Sequence, residues 1–468
     1  MVSKAMRVAA LAAIVALPLL MASGSGAVST GTVAPATVTQ TGLLNYAGPS
    51  CPGVGWNCTR ATNVVQFAAP GGQNRFECKP ADPLTNSATN SCVVDQHGDT
   101  NHARCFISNT TEPTSTESCD ISQTGDRNYS DIHMTTRQGV GPTQGATQTA
   151  TVSQTATERN QSQVMQDVTQ GTSMGASQDQ DAYQLADVTQ NANGSDNFSH
   201  VHQSLDQSEA GSATAQSQNT TLPDTCFQKS ANQCARVTQN VNNAVGGKND
   251  SHLEQLTGER QTTSATGAQT QGDELNGQEG HIHQTQPDDL GENDDSSHLD
   301  LRQRQASPNG VTNQRQSTDP RCCGISQIGG AINRENIDEA TTQSSDEPTS
   351  EQFADLFGEV HQVSPSEAPT LAPSTTPDNK CTIDQHGRNN SDSAHFSRSE
   401  QGPDCADLTL ETICASGGES TGECAPPPEC VDCLLFALAA PLPTNGLDIA
   451  MPNYSSLPSD YVDPGNWW

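Results

Sequence analysis

The sequence predicts an all-β protein: a repetitive β-solenoid of stacked strand-turn-strand rungs, with disulfide-stapled, largely irregular ends. Three observations predict it. A phrase recurs along the chain, clearest as Gln123-Thr-Gly125-Asp-Arg-Asn128-Tyr-Ser130 and Gln96-His-Gly98-Asp-Thr-Asn101-His-Ala103, with looser copies from Gln154, Gln190, Gln239, Gln284, Gln327 and Gln385. Each copy has an aliphatic two places before its glutamine, from Val94, Ile121 and Val152 through Val188, Val237 and Ile282 to Ile325 and Ile383. The residues after each turn alternate, as in Asn160-Gln-Ser162-Gln-Val164-Met-Gln166 and Asn249-Asp-Ser251-His-Leu253-Glu-Gln255. Recurrence of one phrase means one supersecondary unit stacked many times, and a period of two means that the unit is built of strands.

Taken in order, residues 1–27 read as a secretory signal. Lys4 and Arg7 form the charged part, Val8 to Leu20 the apolar part, and Ser25-Gly-Ala27 the cleavage site. Residues 28–50 are Thr/Ala-rich and read as a flexible spacer, and 51–91, with Trp56 and Phe76, as a cysteine-containing N-terminal cap. The repeat solenoid is expected over 92–345. Its anchor glutamines are 27, 31, 36, 49, 45 and 43 residues apart, so the unit keeps its strands and varies its loops. A further piece such as Ala213-Thr-Ala-Gln216-Ser-Gln218 often follows the second strand, and reads as another strand or excursion. A Pro/Ser/Thr-rich linker or excursion is expected at 346–380. A terminal repeat follows at 381–404, where Cys381-Thr-Ile383-Asp-Gln385-His-Gly387 nearly copies Cys92-Val-Val94-Asp-Gln96-His-Gly98, and then a Cys/Pro-rich tail at 405–468. No stretch is long and apolar enough for a membrane span; Leu434 to Leu442 comes nearest.

Composition restricts function. The formal net charge is −33, and such a chain repels nucleic acid and anionic lipid. Leu, Ile, Val and Phe make up about 15% of residues, below the ~20% under which disorder is the default. Order is nevertheless expected, because a coil has no reason to keep Gln, Asn, Ser and an aliphatic in fixed register. Stacked rungs put each residue about 4.8 Å from its counterpart, and Gln and Asn amides, which both donate and accept, can then bond along the axis as ladders. The expected ladder residues are Gln96, Asn101, Gln123, Asn128, Gln154, Asn160, Gln190, Asn197, Gln239, Asn249, Gln284, Asn293, Gln327 and Gln385. Glycine in the turn is expected to supply a positive φ. The Asn-x-Ser triplets at Asn128, Asn160, Asn197 and Asn249 also match glycosylation sequons, but the ladder meaning is preferred.

Sixteen cysteines in an exported chain argue for disulfides. Cys92 and Cys105 flank the first clear arch symmetrically and are expected to pair. Cys119, Cys323 and Cys381 share the position of Cys92, and Cys430-Val-Asp-Cys433 reads as structural.

The pattern Gln-x-Gly-x-x-Asn-x-Ala/Ser followed by alternation resembles the curlin repeat of curli-type fibre subunits. The match is good over Gln96–Ala103 and Gln123–Ser130, looser elsewhere and absent from both ends, covering about half the chain. The resemblance implies a secreted bacterial β-solenoid that polymerises as functional amyloid in a biofilm matrix. The long, irregular units and the cysteine- and proline-rich ends depart from that pattern, and capped ends oppose edge-to-edge growth.

Histidines recur in the second strand at His200, His252, His298 and His395, each just before an apolar residue or phenylalanine. They are expected to point outward, and to form a column able to hold Zn²⁺ or Cu²⁺. The acidic stretch Asp288 to Asp295 lacks a calcium-loop spacing. No nucleophile elbow, zincin motif or phosphate loop occurs, and Asp95, His97, Asp99 and His102 read as a repeat feature, not an active site. The sequence therefore predicts no enzyme and no cofactor. It predicts a secreted scaffolding protein of the cell surface or extracellular matrix, adhesive or fibre-forming, whose partners are other copies of itself or matrix and surface components. The alternative is a monomeric solenoid that presents loops or its His-bearing face to a ligand.

Overall fold

The computed structural model describes residues 37–50, 52–78, 89–109, 113–139, 141–172, 177–194, 196–211, 215–218, 232–242, 247–263, 268–271, 277–286, 294–307, 312–318, 324–328, 332–345, 351–363, 380–386, 389–402, 405–416 and 420–423. Beyond residue 328 the description concerns the backbone, Gln343 excepted. Among these residues lie twenty-three strands, from Val38–Ala47 to Ser420–Glu423, and no helix.

One rung can be read off the strand Thr143–Thr172. Its first half, the A arm, runs to Ala156 and pairs in parallel with Thr114–Gly125 on one side and Asp179–Ala192 on the other. The chain then turns, and its second half, the B arm, pairs in parallel with Arg127–Gln138 and Asp196–Glu209. The two arms bond to neighbouring rungs instead of to each other, so the molecule is two parallel stacks facing across a thin core. Burial alternates residue by residue along each arm, as a strand with one face inward requires.

The core consists of columns. Val64, Val94, Ile121, Val152, Val188, Val237, Ile282 and Ile325 follow one another up the A stack, all buried. In the B stack a second column runs Cys78, Cys105, Ile132, Val164, Val201, Leu253, Leu299. The A-stack column Cys92, Cys119, Ala150, Ala186, Ala235, Gly280 faces it. The two facing columns compensate in volume: where one holds valine the other holds alanine, and where it holds Leu253 and Leu299 the other shrinks to Gly280. A Cβ on Gly280 would lie 2.8 Å from Leu299 Cδ1, so the missing methyl makes room for the leucines.

Where both columns hold cysteine they are bonded, as Cys78–Cys92 and Cys105–Cys119, each 14 residues apart. The expected Cys92–Cys105 pair is thereby corrected. A cysteine of one arm has the B arms of two successive rungs within reach. Bonding each B-arm cysteine to the next A arm uses all four residues, whereas a Cys92–Cys105 bond would strand Cys78 and Cys119. Cys58 and Cys234 are also disulfide-bonded.

Several expected boundaries move. Among the described residues the solenoid is already present at Val38, ahead of Cys92: Val38–Ala47 pairs in parallel with Asn63–Cys78, which pairs with Thr89–His97 and Thr100–Asn109. Parts of the expected spacer and cap are therefore rungs. The expected linker contains the strand Glu351–Val363, in register with Gly324–Ile328 and Asn389–Gln401. The expected extra strands are the first parts of A arms: Ala215–Gln218 and Gln233–Val241 both pair with the single strand Ser177–Ala192. The C-terminal end changes direction. Cys405–Ser416 lies antiparallel to Asp392–Gly402, and Ser420–Glu423 antiparallel to Thr382–Gln385. The signal segment, the acidic stretch from Asp288 to Asn293, Cys323 and Cys430–Cys433 lie outside the described residues.

Candidate functional site

The ladder is the feature that the whole fold serves. Nine glutamines, Gln40, Gln66, Gln96, Gln123, Gln154, Gln190, Gln239, Gln284 and Gln327, form one continuous column in the A stack, all buried. From Gln66 onward, each amide nitrogen donates to the side-chain oxygen of the glutamine one rung earlier, at 2.7 Å in the first four steps and 2.8–2.9 Å in the rest. The same nitrogen donates across the arch to the facing arm: Gln96 to the carbonyl of His102, Gln123 to Tyr129, Gln154 to Gln161, Gln190 to Phe198. The asparagine column Asn45, Asn74, Asn101, Asn128, Asn160, Asn197, Asn249 runs the other way. Each nitrogen donates to the oxygen of the next rung's asparagine at 2.9–3.0 Å. It also donates to the A-arm carbonyl of that next rung, as Asn128 does to Thr155 and Asn160 to Asn191. Glutamine thus ties the two arms of one rung, and asparagine ties each rung to its successor. Satisfied in this way, buried amides no longer carry the desolvation cost that an unpaired polar group would.

Further columns repeat the scheme. Gln184, Gln233 and Gln278 donate down to Gln148, which donates to Glu117. Gln255 and Gln203 lead to Gln166, and Gln207 and Gln170 to Gln138. Carboxyls are enclosed with such amides, and among them burial pushes Glu117 up to about 7 and Glu209 up to about 9. At the arch, Gly98 and Gly125 are not in the positive-φ region, unlike Gly71 and Gly141. They are there because a Cβ on Gly125 would run into the Gly98 carbonyl, a correction to the expected conformational role.

Two expected ladder residues are placed differently. Asn249 is opposite Asp295, and Asn293 is outside the described residues. Gln385 is in register with Gln343, in the column that descends through Gln305 and Glu259 to Gln207, and not with Gln327; the residue opposite Gln327 is Gln362. Gln40 and Gln66 were missed, although Gln40-Thr-Gly42-Leu-Leu-Asn45-Tyr-Ala47 is a full copy of the phrase. The sequon asparagines are buried with their amides engaged, so the folded chain offers none of them for glycosylation.

On the outer face of the B stack the structure brings His200, His252 and His298 into one column, in direct register. The rings of His200 and His252 have centroids 5.0 Å apart, edge to face, and those of His252 and His298 are 4.5 Å apart, tilted by 32°. Burial, with the neighbouring histidines adding to it, lowers His200 to about 4 and His252 to about 3, so both imidazoles are neutral at pH 7. Two residues on, the parallel column holds His202, Glu254 and Asp300. Nδ1 of His202 lies 3.0 Å from Glu254 Oε2. Burial acts to raise the Glu254 carboxyl, but the hydrogen bond and charge of His202, with His252 and His200, outweigh it and lower the pKa. Glu254 was missed at the sequence level; its signal was the spacing of two from His252, which puts both on one face. His395 is in register with Phe357 and is not part of this column.

The acidic and imidazole groups near the first arch do not converge. Asp95 and His97 pair at 3.1 Å on the A arm, Asp99 accepts from the Gly71 amide, and His102 is on the B arm, where burial and the charge of Arg104 lower it to about 3. In comparisons with protein-family models, with curated proteins and with solved structures, none matches this chain.

Proposed function

We propose that this chain is a secreted structural protein of the bacterial cell surface or extracellular matrix, curlin-like, adhesive or fibre-forming, and that it catalyses no reaction. The observation that supports this reading best is the unbroken glutamine column from Gln40 to Gln327. Side chains of the type that an enzyme would aim at substrate are instead spent on holding rung to rung, over the length of the stack. Function then resides in shape, stiffness and repeated surface. The test is thioflavin T binding and electron microscopy on oxidised mature protein, followed over days at rising concentration. Growing dye binding with fibres is the expected outcome, and a permanently coil-like far-UV circular dichroism spectrum would sink the reading.

A second reading has its own support. The antiparallel strands Cys405–Ser416 and Ser420–Glu423 at the C-terminal end interrupt the parallel stacking that an added rung would continue. A chain closed in this way acts as a monomeric solenoid whose excursions and outer face meet a ligand or surface. A soluble β-rich monomer that never binds the dye, found by sedimentation at every concentration, would select this reading.

A further inference from the structure

We propose that His200, His252 and Glu254 form a binding site for one divalent transition-metal ion of the zinc or copper class, on the outer face of the B stack. One ligand atom from each of the three lies within 4.8 Å of the others, a spread that a single ion at about 2.0–2.2 Å from each ligand closes with small side-chain rotations. Two imidazoles and one carboxylate suit zinc and copper and leave a fourth position for water. The proposal does not depend on whether the chain polymerises.

Backbone geometry makes the site rigid. His200 and His252 occupy the same position of adjacent rungs, in strands paired without a slip over sixteen residues from Lys248 to Thr263. Glu254 follows His252 by two, so the sheet fixes all three positions before any ion arrives. The side chains are prepared as well. Nε2 of His200 is buried and has no hydrogen-bond partner, an arrangement that costs free energy unless something fills it. His202 holds one oxygen of Glu254 at 3.0 Å, leaving the other for an ion; partners of this kind orient ligands in metal sites. His298, stacked on His252, limits that ring's rotation from the far side. In the preceding rung the column holds Gln163, which ends the imidazole run there.

The oxidised full-length mature chain, stripped with chelator and dialysed, is titrated with Co²⁺ at pH 7.5. Its visible d–d absorption reports coordination directly. One equivalent of Co²⁺ per chain, displaced by Zn²⁺, is expected. His252→Ala and Glu254→Gln should each weaken binding by more than about tenfold, while His97→Ala leaves it unchanged. If His252→Ala fails to fold, Glu254→Gln carries the test alone, because it keeps the shape of the side chain; its far-UV spectrum serves as the folding control. Absence of saturable binding would overturn the proposal and leave the column as packed imidazoles. So would binding that all three substitutions leave untouched, or that His97→Ala removes.

Discussion

The rungs between Asn63 and Thr124 and those between Ser177 and Ser307 share the anchor glutamine and asparagine columns yet hold their cores together differently. In the first region the facing columns are joined covalently, Cys78 to Cys92 and Cys105 to Cys119. In the second the same positions carry Ala186, Ala235 and Gly280 against Val201, Leu253 and Leu299, held by packing alone. The anchor glutamine column and the asparagine column pass through both regions with the same kind of partner and nearly the same distances. In most domains the apolar core dictates the fold and polar groups decorate it. Here the polar columns set the register, and the apolar positions between them are interchangeable so long as their summed volume is kept.

The sharpest way to break that contrast is Gln154→Leu. It removes the donor to Gln123 and to the Gln161 carbonyl and the acceptor for Gln190, leaving buried groups unpaired at about 1–3 kcal/mol each. A loss of about 3–5 kcal/mol in denaturant unfolding is expected, against less than about 1 kcal/mol for the outward Gln163→Leu. Equal effects would mean that the column does not set the register.

Next in size is exchange of one region's core for the other's. Cys105→Ala with Cys119→Ala should cost about 3 kcal/mol through the freed loop. Cys105→Val with Cys119→Ala, which copies the pair found higher in the stack, should return about 1–2 kcal/mol of that through buried apolar surface. If the valine restores nothing, the two core types are not interchangeable.

The pH dependence separates the regions again. Glu117 and Glu209 have folded pKa values raised above the ordinary value of about 4.5. Each is protonated in folded and unfolded chains at low pH, and each removes stability as pH rises from the unfolded value towards the folded one. Glu117 therefore weakens its region between about 4.5 and about 7, and Glu209 acts from about 4.5 to about 9. Glu209→Gln should raise stability at pH 9 by on the order of 2 kcal/mol and change nothing at pH 4, measured by thermal unfolding at both values. A gain at pH 4 of the same size would show that the effect is not one of ionisation.

The smallest expected effect tests the volume rule. Gly280→Ala should cost about 1 kcal/mol, since its Cβ meets the movable end of Leu299. With Leu299→Val added, the two changes should couple favourably in a double-mutant cycle. Simple additivity would argue against compensation between the facing columns.

Much of this was legible in the sequence, for a physical reason: strands alternate with period two, and stacking demands the same residue type at the same depth. Gln123, Asn128 and Ile121 therefore announced their column at once. The N-terminal rungs escaped notice because 28–50 was read by composition, although Gln40 and Asn45 stand at the spacing of the repeat. Gln385 was misplaced because its column and the anchor column are both built of glutamine, and a local phrase does not say which stack a strand joins. Asp295 was overlooked in favour of Asn293, though aligning His298-Leu299 with His252-Leu253 would have found it. The disulfides needed the offset between arms, which no spacing along the chain encodes.

The direction of the amide columns has a consequence for how such molecules can meet. Each glutamine column described above points its N–H groups towards the N-terminal rungs, and only the asparagine column from Asn45 to Asn249 opposes it. The strands themselves leave little net dipole, so the side chains give the stack an electrical front and back, much as aligned peptides do for a helix. Head-to-tail contact between two copies would let those columns run on from one molecule into the next. Head-to-head contact would set N–H against N–H. Any filament built from these stacks is a one-way road, with one end whose glutamine columns offer hydrogens and another whose glutamine columns receive them.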